Sequence, residues 1–215
     1  ETLAKHNTIK FSPRIFITGT KEFLKFKPAI AFTLASGFIT GSFMVYLSTS
    51  QQIFQEQYGL GELFPYFFAS TAISVGLSTF LNSRLVVRFG SFKLASVAAF
   101  AFFVISVLYV ILFWQGINPP VAVLLGFLLV QFFAVGLLFG NLRSLAMEPL
   151  GHIAGIGAAI NGFVSTVMAV PIANFIGSYV KTSVLPLFLG FMVFGLLTVL
   201  VFAYVRRING VAKTV

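Results

Sequence analysis

Apolar residues gather along this chain into uncharged runs long enough to cross a bilayer, separated by short polar stretches. About 20 predominantly apolar residues suffice for one helical crossing. The first run, Pro28 to Gln55, predicts a helix over 29–53. Pro28 suits its first turn, where a missing N–H costs nothing. The second run predicts a helix over 63–83. Residues 94–142 carry no charge at all and are too long for one crossing. The stretch from Gln115 to Pro120 divides them, because Gly and Pro-Pro punctuate helices. Helices over 94–114 and 121–142 follow, then 152–180 and 184–205, with lengths that accommodate some tilt. The chain therefore reads as an all-α membrane protein with six transmembrane helices over 28–207. A basic linker (1–27) precedes them and a short tail (208–215) follows.

These runs are not uniformly apolar. The first carries Thr33, Ser36, Gly37, Thr40, Gly41, Met44, Ser48 and Gln51 on one helical face. The second carries Ser70, Ser74, Ser78 and Asn82, also on one face. The fifth carries Gly155, Ala158, Ala159, Gly162, Thr166, Ala169, Ala173 and Gly177, and small residues at this spacing let membrane helices approach closely. Packing is thus the first reading of that stripe. Pro171 lies inside the fifth helix, where it removes a backbone hydrogen bond. It marks either a structural kink or a break beside a cavity.

Composition agrees with a membrane solvent: mean hydropathy +1.00, 58% hydrophobic and 9% charged, against about 25% charged in soluble domains. The net charge of +9 would point to nucleic acid in a soluble protein, but its distribution points elsewhere. Lys5, Lys10, Arg14, Lys21, Lys25, Lys27, Arg84, Arg88, Lys93, Arg143, Arg206, Arg207 and Lys213 all fall on one side of the six crossings. Only Lys181 falls on the other. Loop cations stay on the cytoplasmic face during insertion, so both ends are expected to be cytoplasmic. Cysteine and aspartate are absent and histidine occurs twice, which leaves little material for a metal site, a cofactor site or a catalytic triad. The chain is expected not to be an enzyme. It opens at Glu1 without a signal-peptide pattern, and reads as a piece of something longer or as a processed chain.

Three stretches carry a family likeness when taken together. They are Glu1-Thr2-Leu3 ahead of the basic linker, Asn82 to Gly90, and the run from Gly140 to Gly155 that includes Arg143, Glu148, Pro149 and His152. In these the chain resembles the C-terminal half of the Bcr/CflA drug-resistance group of the major facilitator superfamily. The resemblance implies one six-helix half of a twelve-helix carrier, built as two inverted three-helix repeats. It also implies export of drugs or other small molecules from a bacterial cell across its inner membrane, driven by proton entry. No cofactor is implied. The partners implied are the missing N-terminal half or a second copy, membrane lipids, the small-molecule substrate and protons. The signature loop of that superfamily usually holds an aspartate before its arginine, whereas Asn82 and Ser83 precede Arg84 here. The proton-binding carboxylate of related exporters lies in a first helix that this chain does not contain.

Candidate residues follow. Arg84, Arg88 and Gly90 close the second helix, either as a topological anchor or as a cytoplasmic gate. Glu148, beside Pro149, reads as a latch toward Arg143, Arg84 or Arg88, and His152 as a hydrogen-bonded interface residue. Carriers bind at the interface between repeats near midplane. The substrate candidates are therefore Phe43, Tyr46 and Ser50 on the first helix, Gln131 on the fourth, and Asn161 and Ser165 on the fifth. The segment Lys21 to Lys27 alternates charge with bulky apolar groups, as an interfacial amphipathic segment does. Two other readings stand beside the exporter: a carrier of one metabolite, and a non-transporting module that is a remnant or a homodimerising half. The absence of midplane Asp, Glu, Lys or Arg favours the last for the chain alone.

Overall fold

The computed structural model describes residues 13–211, with side chains from 16 to 208. The Glu1-Thr2-Leu3 motif, Lys5, Lys10, Lys213 and the side chain of Arg14 lie outside the described residues. A short helix, α1 (Pro13–Phe23), precedes six long apolar ones: α2 (Lys27–Gln51), α3 (Phe64–Phe89), α4 (Ser91–Leu112), α5 (Val121–Met147), α6 (Ala154–Gly177) and α7 (Leu185–Val211). α5 and α6 form one helical run of 57 residues that breaks at Leu150, whose backbone leaves the helical region. At 1.5 Å per residue that run spans about 85 Å, far more than one bilayer, so it makes two crossings and the count is six.

Local chemistry sets the boundaries. Proline occupies the first turns of α2 and α3, and Pro120 caps α5. α2 does not stop at Gln51 but widens into a π-helical turn over Gln52–Gln57. α3 runs six residues past the expected 83, so Arg84 and Arg88 are helical rather than in a loop. A single residue, Gly90, then separates α3 from α4, with φ 77° and ψ 152°. That conformation is open essentially to glycine alone. Pro171 lies within an α6 that continues unbroken through it.

α2 and α5 run side by side at the centre. Behind them α4 packs along α7; α4 also touches α5, and α7 touches α2. In front, α3 lies along α5 and α6 along α2. Exchanging α2 with α5, α3 with α6 and α4 with α7 leaves these principal pairings unchanged.

The two ends differ in kind. At one, Asn118 joins three connections: its Nδ2 donates to Gln57 Oε1 (3.0 Å) and Thr182 O (3.4 Å), and its Oδ1 accepts from the Val184 N–H (2.8 Å). Tyr58 donates to Pro119 O at 2.7 Å beside it. At the other end lie α1, Gly90 and the 3-10 turn Glu148–Ile153. Lys181 sits at the Asn118 end, and every other described Lys and Arg sits at the opposite, basic end.

α3 shows why the helices associate as they do. Its buried residues are Thr71, Ser74 and Ser78, while Ile73, Leu77 and Phe80 are exposed. Hydrocarbon solvates bulky apolar groups as well as a protein core does, so polar and small groups go inside. Ser74 donates to Leu129 O across the α3–α5 contact at 2.6 Å. Gly136 of α5 abuts Ser78 and the Val75 carbonyl with no room for a Cβ. On the opposite flank Gly37 and Gly41 of α2 seat Met168 and Ile172 of α6.

The small-residue stripe on α6 behaves differently from the packed stripe expected of it. Ala169 and Ala173 are buried and Gly177 abuts Thr49. Gly155, Ala158, Ala159 and Thr166 are exposed, and a Cβ on Gly162 would meet nothing within 4 Å. α2 runs along α6 past Asn161, Met168 and Ile172, to one side of these exposed residues, which leaves half of the stripe without a helix on it.

Candidate functional site

Helical geometry places one uncovered strip at the front of the bundle. On α2, Gly37 and Gly41 face α6 while Tyr46 faces α5. Thr40, Phe43, Leu47 and Gln51 fall between those two directions at 100° per residue, and all four are half-buried or exposed. The small residues Ala69, Ala72, Gly76, Thr79 and Ser83 of α3 form a contiguous exposed face, as do Gly155, Ala158, Ala159 and Thr166 of α6. The front is therefore a shallow apolar face, walled by two helices whose outward surfaces are smooth.

Of the sequence-predicted substrate residues, only Phe43 borders this strip, edge-on to Phe132 (5.6 Å) and Phe139 (5.4 Å). Tyr46 lies behind it, 1% exposed, stacked on Phe68 and tilted against Phe132. Its hydroxyl shares a 2.9 Å hydrogen bond with Thr71 Oγ1 on α3. Ser50 is buried and donates to Leu47 O within its own helix. Gln131 points the other way: its Nε2 donates to Ser106 Oγ (2.8 Å) and Phe102 O (3.2 Å) on α4, behind the strip. Asn161 donates to Thr33 Oγ1 at 3.0 Å, between α6 and α2. Ser165 is buried one turn on along α6. Gln131 Oε1 and Ser165 Oγ are the buried side-chain polar atoms without a partner among the described residues. The structure thus brings Phe43 and Tyr46 together around Phe132, and leaves Gln131 at the α4–α5 contact, Asn161 at the α2–α6 contact, Ser50 bonded within its own helix and Ser165 buried on α6.

The aromatic layer of Phe68, Phe132 and Phe139 with Thr71 is the part that sequence spacing does not flag. A buried tyrosine hydroxyl needs a partner, and Tyr46 is the residue from which Thr71 could have been sought.

At the basic end, Arg84 lies over the Phe80 ring (5.8 Å) and Arg88 over Phe89 (5.3 Å). Arg143 is exposed. No ion pair joins Glu148 to Arg84, Arg88 or Arg143. The reason is placement: Glu148 caps α5 with Pro149 and faces a recess formed by Pro28, Phe32, Phe92, Leu145 and Val205, whereas both α3 arginines are drawn onto aromatic rings. The carboxylate contact at this end is instead a hydrogen bond between His152 Nε2 and Glu22 Oε1, at 2.6 Å. It pins α1 onto the turn before α6. Phe23 is buried there with Ala29 and Leu150, and Gly19 admits Ile156. The interfacial segment expected over Lys21–Lys27 is thus the end of a docked helix, a turn, and the start of α2.

Six apolar helices of 22–27 residues, which leave many bulky apolar side chains exposed on the outer surface, define a multi-pass membrane protein. Over 188 residues the chain is 25% identical to a Bacillus subtilis (strain 168) protein, the uncharacterized MFS-type transporter YdgK, covering 86% of this chain and 46% of that relative. The chain thus spans about half the length of the curated relative it matches. No family model and no solved structure matches it.

Proposed function

We propose that this chain is the C-terminal six-helix half of a secondary active carrier of the major facilitator type. In this reading it exports drugs or other small molecules across the inner membrane against proton entry, with both ends cytoplasmic. The observation that carries this is the twofold exchange of helix neighbours. Two three-helix repeats of opposite orientation give that pattern, and such carriers are built from them. The likeness to an MFS-type transporter of about twice the length supports it. So do the smooth uncovered faces of α3 and α6, on which a second bundle would rock.

Under this proposal Phe43 and Tyr46 form the aromatic floor met by substrate from this half. Ser50, Gln131, Asn161 and Ser165 lie behind that floor and supply polar groups if the helices shift. Arg84, Arg88, Gly90, Arg143, Glu148 and Pro149 form the inner rim that opens and shuts.

A second reading has an observation of its own. Among the described residues no Asp, Glu, Lys, Arg or His lies in the middle of α2–α7, so this half alone has no group there to take up a proton. A non-transporting or homodimerising module would look the same. Reconstitution into liposomes separates them. The chain alone should show no gradient-driven efflux of a fluorescent cation, and adding an N-terminal six-helix half should restore it. Gradient-driven efflux by the chain alone would overturn the half-carrier reading.

A further inference from the structure

We infer that the groove between α4 and α7 at the basic end binds an anionic phospholipid. The groove is about 750 Å³ in volume and lies on the back of the bundle, opposite the uncovered α3 and α6 faces. Its rim holds Lys93 from the first turn of α4 with Arg206 and Arg207 from the end of α7. Its floor is apolar, with Phe92 edge-on to Phe202 at 5.4 Å and Val97 at the margin.

Topology alone does not account for this grouping. Cations that only set orientation can stand anywhere in the loops at that end. Here Lys93 and the adjacent pair Arg206 and Arg207, far apart from it in sequence, converge on one recess, with no carboxylate among the described residues within 4 Å of any of them. The Lys93 ammonium lies 5.7 Å from the centre of the Phe89 ring and pairs with no carboxylate among the described residues. The carboxylate nearest by recess is Glu148, which lines the adjoining hollow beyond Phe92 and pairs with none of the three. Three unpaired cations at the depth of the headgroups, above an apolar channel running toward the bilayer interior, complement a phosphate joined to an acyl chain. A soluble phosphate would have no use for the floor. Because the groove faces away from the front, it stays open to lipid whether or not a second bundle covers α3 and α6.

The test uses the whole chain, purified in neutral detergent and analysed by native mass spectrometry. Phosphatidylglycerol and phosphatidylcholine of identical chains are the probes, with inorganic phosphate as competitor. Each cation near a membrane surface contributes about fivefold to anionic lipid binding. Lys93→Gln/Arg206→Gln/Arg207→Gln should therefore lower phosphatidylglycerol retention at least about twentyfold. A control at the same end, Lys21→Gln/Lys25→Gln/Arg84→Gln, should lower it less than about threefold. Ala203→Phe fills the groove without changing charge and should also lower retention. Arg206→Gln alone, expected to lose about fivefold, carries the test if the triple variant does not fold. Equal losses in the two triple variants, equal retention of the two lipids, or full displacement by inorganic phosphate would each overturn the inference.

Discussion

Asn141 Nδ2 donates to Asn82 Oδ1 at 2.6 Å across the α3–α5 contact, and also to Leu137 O at 2.8 Å. Asn82 lies in one of the stretches that carry the family resemblance, and it is helical and serves as helix-to-helix glue. Hydrogen bonds of this kind between membrane helices are worth about 0.5–1.5 kcal/mol. A double-mutant cycle with Asn82→Ala and Asn141→Ala, read by thermal unfolding in detergent, should give a coupling in that range. Additive losses would mean that the two amides do not meet.

Gly136 and Gly162 have opposite surroundings. A Cβ on Gly136 would collide with Ser78 Oγ and the Val75 carbonyl, while one on Gly162 meets nothing. Gly136→Ala should destabilise the chain by about 1–3 kcal/mol, as overpacking does, and Gly162→Ala should leave the melting temperature of the isolated chain unchanged. Destabilisation by Gly162→Ala would show that α6 is covered in solution.

Gly90 is constrained by its dihedral angles and not by space, since nothing lies within 4 Å of a Cβ built there. Gly90→Ala should cost about 1–3 kcal/mol from backbone strain alone. Unaltered unfolding would mean that the α3–α4 link relaxes to another conformation.

The six helices and the sidedness of the charges were legible because hydropathy and loop cations report directly on the bilayer. The polar face of the second helix was legible too, and Ser74, Ser78 and Asn82 face α5. Which partner each polar residue takes was not legible. Period alone fixes a face but not the neighbour on it, so Gln131, Asn161 and Tyr46 read alike in sequence yet engage α4, α2 and α3. The α3 boundary was missed because Arg84 and Arg88 ended the uncharged run, although a helix continues through charged residues wherever their side chains reach the surface.

Burial pushes the Tyr58 phenol up to about 12. An unfolded tyrosine ionises near 10, so the folded state holds a proton that the unfolded state releases. The resulting contribution to stability is complete below about pH 10 and lost as pH rises through about 12. Wild type should therefore lose its advantage over Tyr58→Phe across that window, measured by unfolding at pH 8–12. A difference that stays constant to pH 12 would place the hydroxyl in water.

The charge asymmetry predicts which end reacts with an impermeant maleimide in intact cells. Glu56→Cys and Thr182→Cys, at the Asn118 end, should label from outside, and Ser91→Cys should not. Labelling at Ser91→Cys with none at Glu56→Cys would reverse the orientation.

The one-residue link at Gly90 also imposes an order of assembly. α3 and α4 scarcely touch although a single residue joins them, because α5 lies against both. They leave Gly90 as the two arms of a V whose gap is the seat of a helix made later. Both arms precede α5 in the chain, so they are made before the helix that fills the gap between them. Their inward serines have no α5 partner until Val121–Met147 emerges and inserts. The mirror arrangement reverses the sequence: α2 is made first and fills the seat between α6 and α7, which close onto it last. The contacts that need α5 are thus complete in the chain before those that need α7, the last helix to be made.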